Sequence, residues 1–384
     1  MHLAGVNRPN ADIIRGGSMR SFKEKIAPYV LLSPYLFMLI VFFGYAFVRC
    51  LYFSFTDYDL FSPPQWVGLK NYLNLFRDFQ FGLALKNSIQ FAIIVTFAQT
   101  AFALLLAIVL NQKIKGIQAF RAAYYMPSIA SSAVVTLVFI WLFQKRGLIN
   151  YLLTVVKTSY PIILTFIGIA LLIQAFLVYI EKVKKRPVSF FEPSFLFLSL
   201  AISFLVTYLL VKTGVVSMVQ GMQPVETVWL NTRKRLFPKG GIFSIPYPLG
   251  SIMLLNTWTT APTFMLLYLA GLQDIPKELY EAAAVDGATK GKTFWYIVIP
   301  QLRNITFLVV TMGLIGTIQM FDQVAFVGEQ APSDAVITLA YYVYINAFPS
   351  SLSPKIGMAS AAAVFLGLLT LLIVLIQKKV VDKG

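Results

Sequence analysis

Two residue types that metal binding and nucleophilic catalysis often draw on, histidine and cysteine, are nearly missing from this sequence. Its 384 residues contain one histidine, His2, and one cysteine, Cys50. Metal sites need clusters of His, Cys or carboxylates, and covalent catalysis needs a nucleophile within reach of a base. Single copies build neither, so no catalytic residue, metal site or cofactor is expected, and the chain itself does not read as an enzyme. One stretch, Gly287-Ala-Thr-Lys-Gly-Lys-Thr293, invites a nucleotide-binding reading. A P-loop sets four residues between its first Gly and the Gly-Lys-Thr, and it follows a strand. Here three intervene, Asp286 stands at the required Gly, and the preceding segment has a helical pattern. Nucleotide chemistry is therefore expected to belong to another chain.

The remaining polar groups of interest lie inside apolar runs. Hydrophobic residues make up 58% of the chain and charged residues 12%, against about 25% charge in soluble domains. The apolar runs fall near 29–48, 87–110, 123–143, 161–180, 194–213, 248–270, 304–325 and 357–377. Each approaches the roughly 20 residues that cross about 30 Å of hydrocarbon. Lipid offers unpaired backbone groups no partner, so every run is predicted to be helical. The fold class expected is an all-α integral membrane protein with about eight transmembrane helices.

Polar side chains inside such runs are costly unless they face a cavity or one another. The seventh run carries Gln319, Phe321, Asp322 and Gln323. The sixth carries Asn256, Thr257, Thr259, Thr260 and Thr263, and the third Ser128, Ser131 and Ser132. Small hydroxyls commonly serve helix–helix hydrogen bonds, whereas Asn256, Gln319 and Asp322 fit a solute path better. An aromatic face beside amides and hydroxyls suits a sugar-like solute. The candidate path is Ser132, Asn256, Thr260, Gln319, Phe321, Asp322 and Gln323.

Orientation follows from charge. The net charge of +16 reads as basic cytoplasmic loops and not as a nucleic-acid surface. Arg8, Arg15, Arg20, Lys23 and Lys25 precede the first run; Lys113, Lys115 and Arg121 follow the second. Lys182, Lys184, Lys185 and Arg186 lie between the fourth and fifth, and Lys277, Lys290, Lys292 and Arg303 between the sixth and seventh. Lys378, Lys379 and Lys383 end the chain. Both termini are expected inside. Met1 to Lys25 is polar and basic and the first run is long enough to span, so no cleavable signal is expected. Two outer segments stand out. Residues 56–85 read as a turn and a short interfacial helix, and the Pro/Gly-rich 214–247 would pack over the outer mouth of a pore. The latter carries Arg233, Lys234, Arg235 and Lys239, a solvated face or a partner contact.

One inner segment has the design of a mechanical contact. In Asp274-Ile-Pro-Lys-Glu-Leu-Tyr-Glu-Ala-Ala-Ala-Val-Asp-Gly-Ala, Pro276 suits the first turn of a helix. Asp274 and Glu278 suit its dipole, and Gly287 offers a left-handed stop. A second helical stretch is predicted from Thr293 to Ile299, with Pro300 marking the turn into the next span. Ala282, Ala283 and Ala284 would let another backbone come close beside Glu281, although a plain loop helix on the headgroups has the same pattern.

The run from Glu281 to Pro300 resembles the Glu-Ala-Ala motif of binding-protein-dependent ABC importer permeases, with Ile299 where that pattern usually has Leu. Val67-Gly-Leu-Lys-Asn-Tyr72, Met126-Pro127, Gly147-Leu-Ile-Asn150, Asn256-Thr-Trp258, Leu269 to Pro276 and Gln319-Met-Phe-Asp322 resemble the carbohydrate branch, the maltose and glycerol-phosphate type. Glu329-Gln-Ala-Pro332 stands where a Gly-Gly-Pro often follows the seventh span. The resemblance implies a six-helix core working by alternating access. It implies coupling through Glu281, Ala282, Ala283, Asp286, Gly287 and Pro300 to a dimer of ATP-binding cassette ATPases. The partners implied are a second homologous permease, an extracytoplasmic solute-binding protein, a sugar-like solute and membrane lipid, in a bacterial or archaeal cytoplasmic (inner) membrane. The chain then divides into a cytoplasmic tail (1–27), a first core part (28–155), an inserted helical hairpin (156–225) and a second core part (226–384) with the coupling loop at 271–303. The hairpin reads as a peripheral element for lipid or partner contact. The alternative is a secondary active transporter, which would need coupling-ion groups near midspan; only Asp322 comes close.

Overall fold

A computed structural model describes residues 22–112, 116–184, 190, 192–350 and 353–381. The expected tail up to residue 21, with Arg8, Arg15 and Arg20, lies outside them, as do Lys113, Lys115, Lys185, Arg186 and Lys383. Among the described residues seven helices are long and apolar enough to cross a membrane, and a bent pair makes an eighth. The chain forms two compact units, 1–77 with 345–365, and 78–344 with 366–384.

In the first unit, α1 (Phe22–Met38) passes through a π-helical turn at Leu39–Gly44 into α2 (Tyr45–Ser54). Its flank is almost wholly exposed large hydrophobics, as a lipid-facing helix requires. The strands β1 (Thr56–Asp57) and β2 (Gln65–Trp66) pair antiparallel, and α3 (Lys70–Arg77) follows. This is the expected turn and short helix, and the run around Gly68 now has a physical reason. Gly68 has φ +60°, a conformation that favours glycine. Asn71 Nδ2 then donates to the Ser54 and Thr56 carbonyls at 3.0 and 2.8 Å, satisfying acceptors left free where α2 ends.

The second unit is built on α4 (Phe79–Leu110), capped by Asp78, whose side chain accepts from Gln80 N at 2.8 Å. Next come α5 (Ile117–Ile129) and α6 (Ser132–Leu142), which meet at 97°. The third predicted span is thus bent at Ala130–Ser131, both in extended conformation. The helices α7 (Leu148–Val183) and α8 (Pro193–Lys212) form the hairpin. α7 begins well before the predicted start at 161, and the division drawn at 156 falls inside it. The hydroxyls of Thr154 and Thr158 bond the Asn150 and Thr154 carbonyls at 2.7 and 2.9 Å, so residues that read as loop are satisfied within a helix.

After the hairpin the chain returns along α7. Val219 N donates to Thr158 O and Val225 N to Thr154 Oγ1, each at 2.9 Å. Asn150 Nδ2 donates to the Lys145 and Thr227 carbonyls, both at 2.8 Å, while its Oδ1 accepts from Trp229 Nε1 at 2.9 Å. A short ribbon of β3 (Arg235–Leu236) and β4 (Ile245–Pro246) leads into α9 (Tyr247–Asp274). Of the basic outer residues, Arg233 pairs with Asp334 at 3.0 Å and Arg235 donates to Ser244 O at 3.2 Å.

α10 (Lys277–Val285), α11 (Lys290–Thr293), a π turn at Phe294–Val298 and α12 (Ile299–Gln301) form the reversal before α13 (Arg303–Ile318). α14 (Asp322–Gly328), α15 (Ser333–Val336), α16 (Leu339–Ala347) and α17 (Ile356–Val381) complete the chain. The seventh predicted span is therefore interrupted at Gln319–Phe321. α4, α9 and α13 make the centre of this unit. An inner apolar cluster joins Leu106, Leu110, Met265, Tyr268, Leu272, Leu302 and Val309, and an outer one joins Phe91, Val95, Ile140, Leu249, Ile252 and Val324.

Candidate functional site

Between the two apolar clusters lies a polar layer at the middle of α4 and α9. Thr96 and Thr317 hydroxyls meet at 3.1 Å, and Thr260 Oγ1 donates to Gln99 Oε1 at 2.7 Å. These close the helices on one another, the service small hydroxyls ordinarily perform in membranes. On the other side of α9 the layer opens into a cavity of about 340 Å³.

The cavity exists because two helices break beside it. Pro127, Ser128, Ala130 and Ser132 reach it from the bend between α5 and α6; Met320, Asp322 and Gln323 reach it from the break before α14. α9 supplies Asn256, Thr259, Thr260, Thr263 and Phe264. Non-helical backbone at membrane depth survives where it is buried in protein or lines a cavity, and both breaks meet that condition. Asp322, Thr263 and Ala130 are exposed, so the bowl is open on one side of the chain.

Two wall groups are incomplete. Asn256 and Gln323 are each 5% exposed. Asn256 Nδ2 reaches Met320 Sδ at 3.8 Å and Gln323 Nε2 reaches Thr259 Oγ1 at 3.5 Å, while Asn256 Oδ1 and Gln323 Oε1 are buried without a partner among the described residues. A buried acceptor left unpaired costs about 1–3 kcal/mol. Two carbonyl oxygens thus lie buried in the cavity wall without a donor, with hydroxyls and the Phe264 ring beside them.

Of the predicted path residues, Ser132, Asn256, Thr260, Asp322 and Gln323 stand on this wall. Gln319 and Phe321 do not. Gln319 is exposed at the end of α13 and Phe321 packs on Tyr344 with ring centroids 5.1 Å apart. The helix break rotates them away and turns Met320 inward, which helical periodicity could not anticipate. Gln99, 1% exposed, escaped the sequence reading although an amide in an apolar run was signal enough.

At the inner end, α10 runs from a cap at Pro276 to Gly287, whose φ of +70° ends it. Ala288 N donates to Ala283 O at 2.9 Å and Gly287 N to Ala284 O at 3.1 Å, closing the last turn. Ala283 is buried, whereas Glu281, Ala282 and Val285 face out, Val285 being 88% exposed. Leu279 and Tyr280 pack against the inner cluster, and burial raises the Tyr280 phenol above its usual value. The second helical stretch starts at Lys290 and not at Thr293, because Thr289 caps it, accepting from Lys292 N at 3.4 Å. Pro300 lies within α12, and the turn into α13 falls at Leu302. A proline near a helix start leaves no donor unpaired, so the turn waits for the next residues. The segment before Gly287 is the helix α10, so the strand that a P-loop follows does not precede it.

Among the described residues, seven helices of spanning length, a bent pair that makes up to an eighth, and a polar cavity between broken helices define a multi-pass membrane permease. The family model described as binding-protein-dependent transport system inner membrane component matches residues 79–383. The chain belongs to that family and is an inner-membrane component of such a system. Among curated relatives it is 26% identical to the probable ABC transporter permease protein YurN of Bacillus subtilis (strain 168), over 94% of this chain and 98% of YurN. It is also 26% identical to the arabinooligosaccharides transport system permease protein AraP of Halalkalibacterium halodurans, over 92% of this chain and 87% of AraP. Its fold matches a chain of a bacterial ABC transporter involved in import of the acidic polysaccharide alginate. There the TM-score is 0.63 at 17% identity, covering 94% of this chain and 96% of that one. A bacterial alginate ABC transporter in complex with an alginate pentasaccharide-bound periplasmic protein matches at TM-score 0.58 and 17% identity, covering 93% and 95%.

Proposed function

We propose that the chain is a permease subunit of an ATP-driven importer for a sugar or oligosaccharide, and that the cavity between α5–α6, α9 and α14 lies on the solute path. The observation that carries this reading is the pair of buried, unpartnered oxygens, Asn256 Oδ1 and Gln323 Oε1, on a midspan cavity wall. A sugar supplies hydroxyl donors to both and accepts in turn from the Ser132 and Thr263 hydroxyls, while its C–H face rests on Phe264. AraP and the alginate importers handle saccharides, and the alginate complex contains a periplasmic protein. A binding protein presenting solute at the outer loops fits both relationships. The open side of the bowl suits completion by a second permease of the same fold.

Energy enters through α10. Its outward residues Glu281, Ala282 and Val285 offer a charge and a low surface to an ATPase dimer. Its inward residues Leu279 and Tyr280 lean on the cluster that also contains Phe264 of the cavity wall, with Ala283 buried and Asp286, Gly287 and Pro300 shaping the reversal. Alternating access follows if ATPase closure shifts this cluster. Ligands move such an equilibrium only through differential affinity for its states. The test is solute-stimulated ATP hydrolysis in vesicles. Asn256→Leu and Gln323→Leu should each weaken half-saturation by about 5–10-fold, the worth of one hydrogen bond, with subunit assembly intact. Glu281→Lys should abolish ATPase association. Unchanged half-saturation in both cavity variants would overturn the path.

A further inference from the structure

The hairpin of α7 and α8 is used neither by the solute path nor by the coupling helix. Its two helices pack mainly on each other. Toward the inner half they enclose a cleft of about 220 Å³, walled by Phe166, Ala170, Leu171, Leu196 and Leu200 with Gln174 among them. Gln174 is 4% exposed. Its Nε2 donates to the Phe190 carbonyl at 2.5 Å, and that acceptor fixes which end of the amide is nitrogen. The opposite end, Oε1, is buried with no partner among the described residues. Ser199, the other polar side chain on the wall, already donates to Leu196 O at 3.0 Å.

The cleft therefore has a hydrocarbon lining, with one unsatisfied acceptor buried in its wall at Gln174. Water is a poor occupant, because a buried water needs two to four polar partners. An apolar cleft of this kind stays dry and takes up apolar molecules. The hairpin's outer flanks, such as Leu164, Leu172, Phe197 and Phe204, are exposed in helices of spanning length, so the surrounding medium is lipid. The occupant must carry a long apolar body and a single hydrogen-bond donor. We propose that the hairpin is a binding site for a membrane alcohol, an alkyl or isoprenoid chain whose hydroxyl donates to Gln174 Oε1.

The experiment uses the full-length chain in vesicles of phosphatidylethanolamine and phosphatidylglycerol, with a diazirine analogue of hexadecanol as probe and its methyl ether as control. The ether keeps the chain and loses the donor. After illumination, adducts are mapped by peptide mass spectrometry. The expected result is labelling concentrated at residues 166–174 and 196–200, preferring the alcohol about fivefold, the factor one neutral hydrogen bond supports. Gln174→Leu should remove the preference while keeping the labelling. Ala170→Trp should fill the cleft and remove both, which keeps the proposal testable if Gln174→Leu fails to assemble. Equal labelling by alcohol and ether in the unaltered chain would overturn the proposal. So would labelling spread evenly over lipid-facing helices, or a cleft found occupied by a neighbouring protein chain.

Discussion

Replacing Gly313 by Ala should destabilise the chain, while the same change at Gly316, one turn along α13, should not. A Cβ at Gly313 would stand 2.4 Å from Gln99 Nε2 and 3.2 Å from Thr96 Cγ2, whereas at Gly316 nothing lies within 4 Å. Ordinary contact begins at 3.4 Å, so the Gln99 amide must retreat by about 1 Å. Gln99 is 1% exposed and accepts from Thr260 at 2.7 Å. Its retreat breaks that bond and leaves a buried acceptor, a cost of about 1–3 kcal/mol. Ala gains about 0.5–1 kcal/mol over Gly in a helix, so the net loss at Gly313 is about 0–2.5 kcal/mol, centred near 1 kcal/mol, and Gly316→Ala is neutral or mildly stabilising. Thermal unfolding of the two variants, followed by fluorescence-detected size exclusion at one heating rate, reads the difference. Adding Gln99→Ala should relieve the Gly313→Ala defect, a non-additivity expected only of residues in contact. Equal melting of the two glycine variants, or strict additivity with Gln99→Ala, would refute the packing argument.

Two further outcomes are expected. Asn150→Ala should cost about 2–4 kcal/mol, because it strands the Lys145 and Thr227 carbonyls and the Trp229 indole N–H; increased proteolysis within 214–230 would show it. Glu226 is held below its ordinary value of 4.5 by its hydrogen bond to Lys145, then by that residue's charge. A depressed carboxylate stabilises above its unfolded pKa and loses that contribution as pH falls through the folded one. Trp229 fluorescence should therefore change on acidification below about 4.5, and Glu226→Gln should remove the transition.

The spans were legible because lipid dictates both their composition and their helicity. Their interruptions were not. Pro127 announces a weakened turn, yet the bend comes at Ala130–Ser131, where neither residue forbids a helix. Gln319, Phe321, Asp322 and Gln323 read together as a polar-aromatic group on the path. The chain breaks there, so Met320 reaches the cavity while Gln319 turns outward. The helical form of 148–160 was hidden by Thr and Ser, whose hydroxyls turn out to bond their own helix. The reversal between α9 and α13 was the most legible stretch of loop, since Gly287 ends α10 through local backbone geometry. Even so, the side chain of Thr289 moved the second helix start by three residues. Gln99 shows the remaining limit, for an amide's partner 161 residues away is visible only once α4 and α9 have packed.

The most direct test of the solute path is protection of the cavity wall. With Cys50→Ser removing the chain's one thiol, Thr263→Cys places a single thiol at the exposed rim of the cavity. The assembled transporter in vesicles is treated with a membrane-impermeant thiol reagent, with and without binding protein loaded with saccharide. Labelling that is slowed by saccharide, and restored when Asn256→Leu and Gln323→Leu are added, is the predicted result. Labelling indifferent to saccharide while uptake continues would contradict it.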